Sequence, residues 1–142
     1  MGSAHLDIED LIRAGEGQPW NGAPDGTKIG HVHLYVSDLD VAEKFFHNAV
    51  GLDKVRLEFP GALFMSAGGY HHHLGTNTWA AHAGQATDGD ARLLEWTVEL
   101  PANELVRLAE SLKQNGFNAD LGSNSVTTED PWTTRIKFRS AA

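Results

Sequence analysis

The run Gly-Gly-Tyr-His-His-His-Leu-Gly-Thr at residues 68–76 sets His71, His72 and His73 side by side. Two further histidines, His31 and His33, alternate with apolar residues near position 30. Imidazole titrates near neutral pH, ligates divalent metals and hydrogen-bonds polar groups. The run therefore has three uses open to it: a metal site, a grip on substrate, or a strand face turned to water. Glu95, Thr97 and Glu99, and later Arg135, Lys137 and Arg139, recur at two-residue spacing. Two imidazoles and a carboxylate, with coordination positions left open, suit Fe(II), Mn(II) or Zn(II). No short-range ligand motif such as H-E-x-x-H is present, and no glycine pattern forms a phosphate cradle. The chain has no cysteine, which removes thiolate ligands, cysteine nucleophiles and disulfides.

These residues need elements to position them. Val32, Leu34 and Val36 alternate with His31, His33 and Tyr35, the period of a strand with one apolar face. A helix follows, capped by Ser37 or Asp38, burying Leu39, Ala42, Phe45, Phe46 and Ala49, and ended by Gly51. Three strands are expected next, at 53–59, 62–67 and 70–79. The second half repeats the order: a strand over 92–100, a helix over 101–117 capped by Asn103, then strands at 118–122, 125–130 and 133–140. This is an internal repeat of about 65 residues. The fold class is α+β, with paired βαβββ modules at 28–79 and 93–139 forming a curved sheet trough with helices outside. The domain spans 28–142, preceded by a helical arm and a Gly/Pro-rich linker over 1–27, with Leu6, Ile8, Leu11 and Ile12 on one helix face.

Strand parity assigns the trough face, because successive side chains point to opposite faces. It receives His31, His33 and Tyr35; His71 and His73, with His72 turned to the helix side; Glu95, Thr97 and Glu99; and Arg135, Lys137 and Arg139. His31, His73 and Glu95 are the candidate metal ligands. His33, His71 and Tyr35 are the candidate acids or bases beside them. Lys137, Glu99, Arg135 and Trp79 are candidate substrate contacts. His47 and His82 fall on a helix surface and a linker and read as solvated.

The 142 residues carry a net charge of −8, against a general nucleic-acid binder. No stretch approaches the roughly 18 apolar residues of a membrane span, and no signal-peptide pattern opens the chain. A cytoplasmic protein with a small-molecule ligand, and no membrane or nucleic-acid partner, is expected.

Together, "IGHVHLYVSDL", "SAGGYHHHLGTNTW" and "EDPWTTRIKF" in paired modules resemble the vicinal oxygen chelate superfamily: glyoxalase I, bleomycin-resistance proteins and type I extradiol dioxygenases. The pattern is most similar to the carboxy-terminal half of Bacillus-type catechol 2,3-dioxygenases. The resemblance implies a metal-dependent enzyme acting on a small bidentate oxygen substrate such as a catechol. It implies metal on His31, His73 and Glu95, Fe(II) or Mn(II) before Zn(II), and a homodimer. Lys137 stands where the family has a glutamate ligand, and Thr133 where it has a turn glycine. The lysine opens the alternative of a metal-free site, in which its charge replaces the ion, that binds a drug or aromatic molecule as bleomycin-resistance proteins do.

Overall fold

The computed structural model describes residues 5–15, 17, 19–56 and 59–140. Positions 16 and 18 of the expected linker and 57 and 58 of the expected second strand lie outside that set. Helix α1 (Ile8–Gly15) comes first, with no buried residue: Ile8, Leu11 and Ile12 are all exposed. Strand β1 (Val32–Tyr35) leads into α2 (Leu39–Ala42), which continues as a π-helix over Glu43–Ala49. Of the two expected caps, Asp38 acts: its carboxylate accepts from the Asp40 and Val41 N–H groups at 2.8 and 3.1 Å. The π-helical turn is wider than an α-turn, so neighbouring side chains diverge less. That is consistent with two consecutive residues, Phe45 and Phe46, both being buried.

Strands β2 (Asp53–Arg56), β3 (Ala62–Ser66) and β4 (Leu74–Asn77) complete the first sheet in the order β1-β4-β3-β2. The second module has β5 (Glu95–Leu100), α3 (Glu104–Gln114), β6 (Asp120–Leu121), β7 (Ser125–Glu129) and β8 (Arg135–Ser140), ordered β5-β8-β7-β6. In each sheet the first strand pairs in parallel with the last and the other pairs are antiparallel. The repeat is thus one of topology. Asn103 precedes α3 as expected, but its amide bonds the Glu104 side chain instead of capping the helix.

One apolar core joins the modules: Phe45, Phe46, Met65 and Leu74 from the first, Leu108, Leu112, Val126, Ile136 and Phe138 from the second. Phe45 meets the Phe117 ring edge-on at 4.8 Å. Ser111 Oγ donates to the Ala49 carbonyl at 2.8 Å, and the Trp132 indole N–H to Ser37 Oγ at 2.9 Å. The side chains that alternate with the core set form the polar face of the second sheet.

The turn into β8 holds the backbone strain. Thr133 has φ +70°, the left-handed region, and is the only non-glycine residue there among the described residues. A β-branched side chain in that region is a genuine outlier. Asp130 braces the turn: its Oδ1 accepts from the Trp132 and Thr134 N–H groups, both at 2.9 Å. Thr133→Gly releases the strain but adds unfolded-chain entropy and loses an exposed bond from Gln85. The net expectation is a gain of about 1 kcal/mol, read as a higher urea midpoint with an unchanged slope.

Burial pushes the Asp130 carboxyl above its ordinary value, against the pull of the Thr134 and Trp132 hydrogen bonds. A carboxyl held higher in the folded than in the unfolded chain binds its proton more tightly when folded. Its contribution is fully present below the unfolded value and is lost as pH rises through the folded one. Asp130→Asn keeps the acceptor oxygen and cannot ionise. The parent should therefore lose stability relative to this variant as pH rises from about 4 towards neutrality, in denaturant titrations across that range.

Candidate metal-binding site

The histidine run does not lie within a strand. Gly68 and Gly69 turn the chain with φ +63° and +75°, and β4 begins only at Leu74. Period-two alternation therefore does not reach back over residues 71–73, which corrects the parity assignment for His72. Its ring packs at 5.1 Å from Phe64, a buried residue outside the common core, and at 4.5 Å from His31. His72 is 6% exposed, and its Nδ1 is buried with no hydrogen-bond partner.

His31 precedes β1, anchored where the Val32 N–H donates to the His73 carbonyl at 2.9 Å. His71 stands 4.6 Å from His72 and 6.1 Å from His31, ring centre to ring centre. Ligand-capable nitrogens of His31, His71 and His72 all lie within 4.8 Å of one another, the one such grouping among the described residues. Burial, then the neighbouring charges of His31, His71 and His33, holds His72 below the ordinary histidine value. His72 is thus neutral at pH 7, with a lone pair to offer. Three converging imidazoles are a fitting donor set for a divalent ion of intermediate softness.

The expected set of His31, His73 and Glu95 is not assembled here. His73 Nδ1 accepts from the Ala67 N–H at 3.2 Å and lies 3.0 Å from Ser66 Oγ, while the ring stacks on Tyr70. A ligating histidine ordinarily donates through its second nitrogen. The second nitrogen of His73 accepts instead. Glu95 lies 3.8 Å from the Arg135 guanidinium, which also reaches Glu129 at 4.0 Å.

Two cavities separate these groups. Glu95, Arg135 and Lys137 line one of about 670 Å³, with Asn118, Thr127 and Glu129. His31 and His73 line another of about 1040 Å³ between the modules, with Glu99 and a largely apolar wall. Lys137 lies in register between Thr97 and Thr127 and has no ion pair among the described residues. Glu99 is paired with Arg139.

The remaining candidates divide. The His33 ring lies over Gly75, its Nδ1 3.0 Å from where a Cβ would stand, so any side chain there would have to push the ring aside. Burial, then His31, holds His33 below its usual value. Asn77 accepts from the Trp79 N–H through Oδ1, which turns its amide nitrogen to His33 Nε2 at 2.8 Å. That nitrogen can only donate, so Nε2 accepts and the His33 proton sits on Nδ1. Trp79, with Phe59 and Phe64, builds an aromatic wall beside His33. Tyr35 is 69% exposed at the far end of β1. Sequence reasoning turned His72 to the helix side and passed over Phe64; the glycine pair that interrupts the alternation was the available signal.

Residues 28–137 match the model of the Glyoxalase/Bleomycin resistance protein/Dioxygenase superfamily. The chain is 38% identical over 135 residues to the catechol-2,3-dioxygenase of Bacillus subtilis (strain 168). That match takes in 92% of this chain and 47% of the relative, so the chain spans about half the length of the curated protein it matches. Among solved structures, a glyoxalase/dioxygenase from Nostoc punctiforme is similar with a TM-score of 0.67 at 16% identity, covering 87% of this chain and 98% of that one. A mutant of the fosfomycin resistance protein FosX from Listeria monocytogenes, solved with Mn(II) and a dihydroxypropylphosphonic acid, is similar with a TM-score of 0.59 at 13% identity, covering 82% and 94%. At such identities the structural likeness is one of fold. No helix among the described residues is long and apolar enough to cross a membrane.

Proposed function

Because the chain belongs to the glyoxalase/bleomycin resistance protein/dioxygenase superfamily, we propose that it is a divalent-metal enzyme acting on a small substrate with two adjacent oxygens, such as a catechol. The observation that carries this reading is the convergence of His31, His71 and His72, with the Nδ1 of His72 buried and unpartnered. These three imidazoles would hold the ion, Fe(II) or Mn(II) before Zn(II) on the family likeness. When bound, the metal supplies Lewis-acid stabilisation of the negative charge that develops on the substrate oxygens.

The protein's own groups do the rest. Phe64 closes one side of His72 and keeps water from it. Trp79 and Phe59 offer faces on which a planar ring stacks. His33 presents an Nδ1–H donor, fixed by Asn77, rather than a free base. His71, as one of the three imidazoles that would hold the ion, has its lone pair engaged there and is not the free acid or base. Ring cleavage would insert both atoms of O2 next to the diol and needs no external reductant.

A metal-free binding protein is the second reading, favoured by one observation: Lys137, in the family's glutamate position, has no ion pair among the described residues. The test is O2 consumption with catechol and 4-methylcatechol after anaerobic loading with Mn(II) or Fe(II). Consumption of one O2 per diol, with a yellow product, supports the enzyme. No consumption with either metal, together with a diol-induced rise in melting temperature of metal-free protein, supports the binder.

A further inference from the structure

Helix α1 has the sequence of a helix but no support for one. The Asp7 carboxylate caps it by accepting from the Asp10 N–H at 2.9 Å. Leu6 and Leu11 take the staple positions on either side of that cap. Ile8, Leu11 and Ile12 form one stripe at i, i+3 and i+4. Yet the helix has eight residues and buries none of them. A helix that short is marginal in water and owes its stability to packing of its apolar face. Leu6, Ile8, Leu11 and Ile12 are all more than half exposed, and Trp20 and Ile29, on the segment that follows, are each 84% exposed.

We infer that this arm is the contact surface between two copies of the chain, with α1 of one packed antiparallel on α1 of the other. The first support is charge. Glu9 and Arg13, four residues apart, flank the stripe on the same side. An antiparallel pair sets each Glu9 opposite the other copy's Arg13 and aligns the helix dipoles favourably. The second is area. Six apolar side chains at roughly 100 Å² apiece offer roughly 600 Å² per copy, the lower limit of stable specific interfaces. The third is the Bacillus subtilis relative. Its match takes in 92% of this chain, whereas residues 28–142 are only 115 of the 142, so the match reaches back into the arm. The unmatched part of that relative is longer than the matched 47%, so a further body of about this chain's size stands beside an arm like this one. Here the body of that size is a second copy. The inference rests on the arm alone and not on the metal reading.

The experiment is sedimentation velocity of the full chain from about 1 to 500 μM, the range in which an interface of that size should associate. The parent should move from the 15.4 kDa chain mass to twice that value. Leu11→Asp should weaken the association by at least about 50-fold. Its urea unfolding should match that of the dilute parent, because α1 buries nothing. Glu9→Arg should weaken association by about fivefold or more, and Glu9→Arg combined with Arg13→Glu should restore it. A parent that stays monomeric at the highest concentration overturns the inference; a loss of stability in monomeric Leu11→Asp would then place the arm on its own domain. Equal association of the parent and Leu11→Asp also overturns it. A weakening by Glu9→Arg that the double reversal does not repair overturns the antiparallel pairing.

Discussion

His31→Ala is expected to lower Mn(II) affinity by at least about 100-fold and to abolish diol-dependent O2 consumption. Removing a group that merely orients a ligand typically costs 10- to 100-fold in metal affinity, so losing a ligand should cost at least as much. His31 is the residue that both candidate ligand sets share. It belongs to the imidazole group and lines the inter-module cavity. Without it, His71 and His72 remain as a pair, and no other imidazole or carboxylate among the described residues completes a group of three. The ring is exposed and precedes β1, so unfolding free energy should move by no more than about 0.5 kcal/mol. Calorimetric titration of Mn(II) into the variant, with a denaturant curve beside it, checks both points. His71→Ala should behave like His31→Ala, whereas Glu95→Gln should retain the metal. Loss of metal in His73→Ala and Glu95→Gln but not in His71→Ala would mean that the His31, His73 and Glu95 set forms on binding.

The largest effect on stability is expected from Phe45→Ala, at about 3–5 kcal/mol. Phe45 is fully buried and meets the Phe46 and Phe117 rings edge-on, both at 4.8 Å. Truncation forfeits the transfer free energy and both aromatic contacts, and it opens a cavity where the modules join. With domain stabilities of roughly 5–15 kcal/mol, that is about a fifth of the total or more. Val41, 39% exposed on the same helix, serves as the contrast: Val41→Ala should cost less than about 1 kcal/mol. Urea unfolding followed by circular dichroism measures both.

The fold was legible because its signals are periodic and doubled. Val32 and Leu34, then Trp96 and Val98, mark the core faces of the first strands, and each module shows the same strand-helix-strand order. The site was legible only in part. His31 could be found because it abuts a regular strand whose parity holds. His72 was misplaced because parity was carried through a glycine turn that resets it. The side-chain partners of His73, Ser66 and the Ala67 N–H, come from a neighbouring strand end that no spacing rule reveals. Arg135 takes up Glu95 for a comparable reason: the pair is set by the β5–β8 register, which is a tertiary fact. At Thr133 the sequence showed only a departure from the glycine that the resemblance implies; the positive φ behind it is a structural fact.

The central claim is that the imidazole group of the first module holds a divalent ion. Its most direct test is the metal content, by mass spectrometry, of protein bearing no added histidine tag, purified without chelator, equilibrated with Mn(II) and freed of excess. About one equivalent per chain, falling close to zero in His31→Ala, is the predicted result. No retained metal in the parent, or equal retention in both proteins, would contradict it.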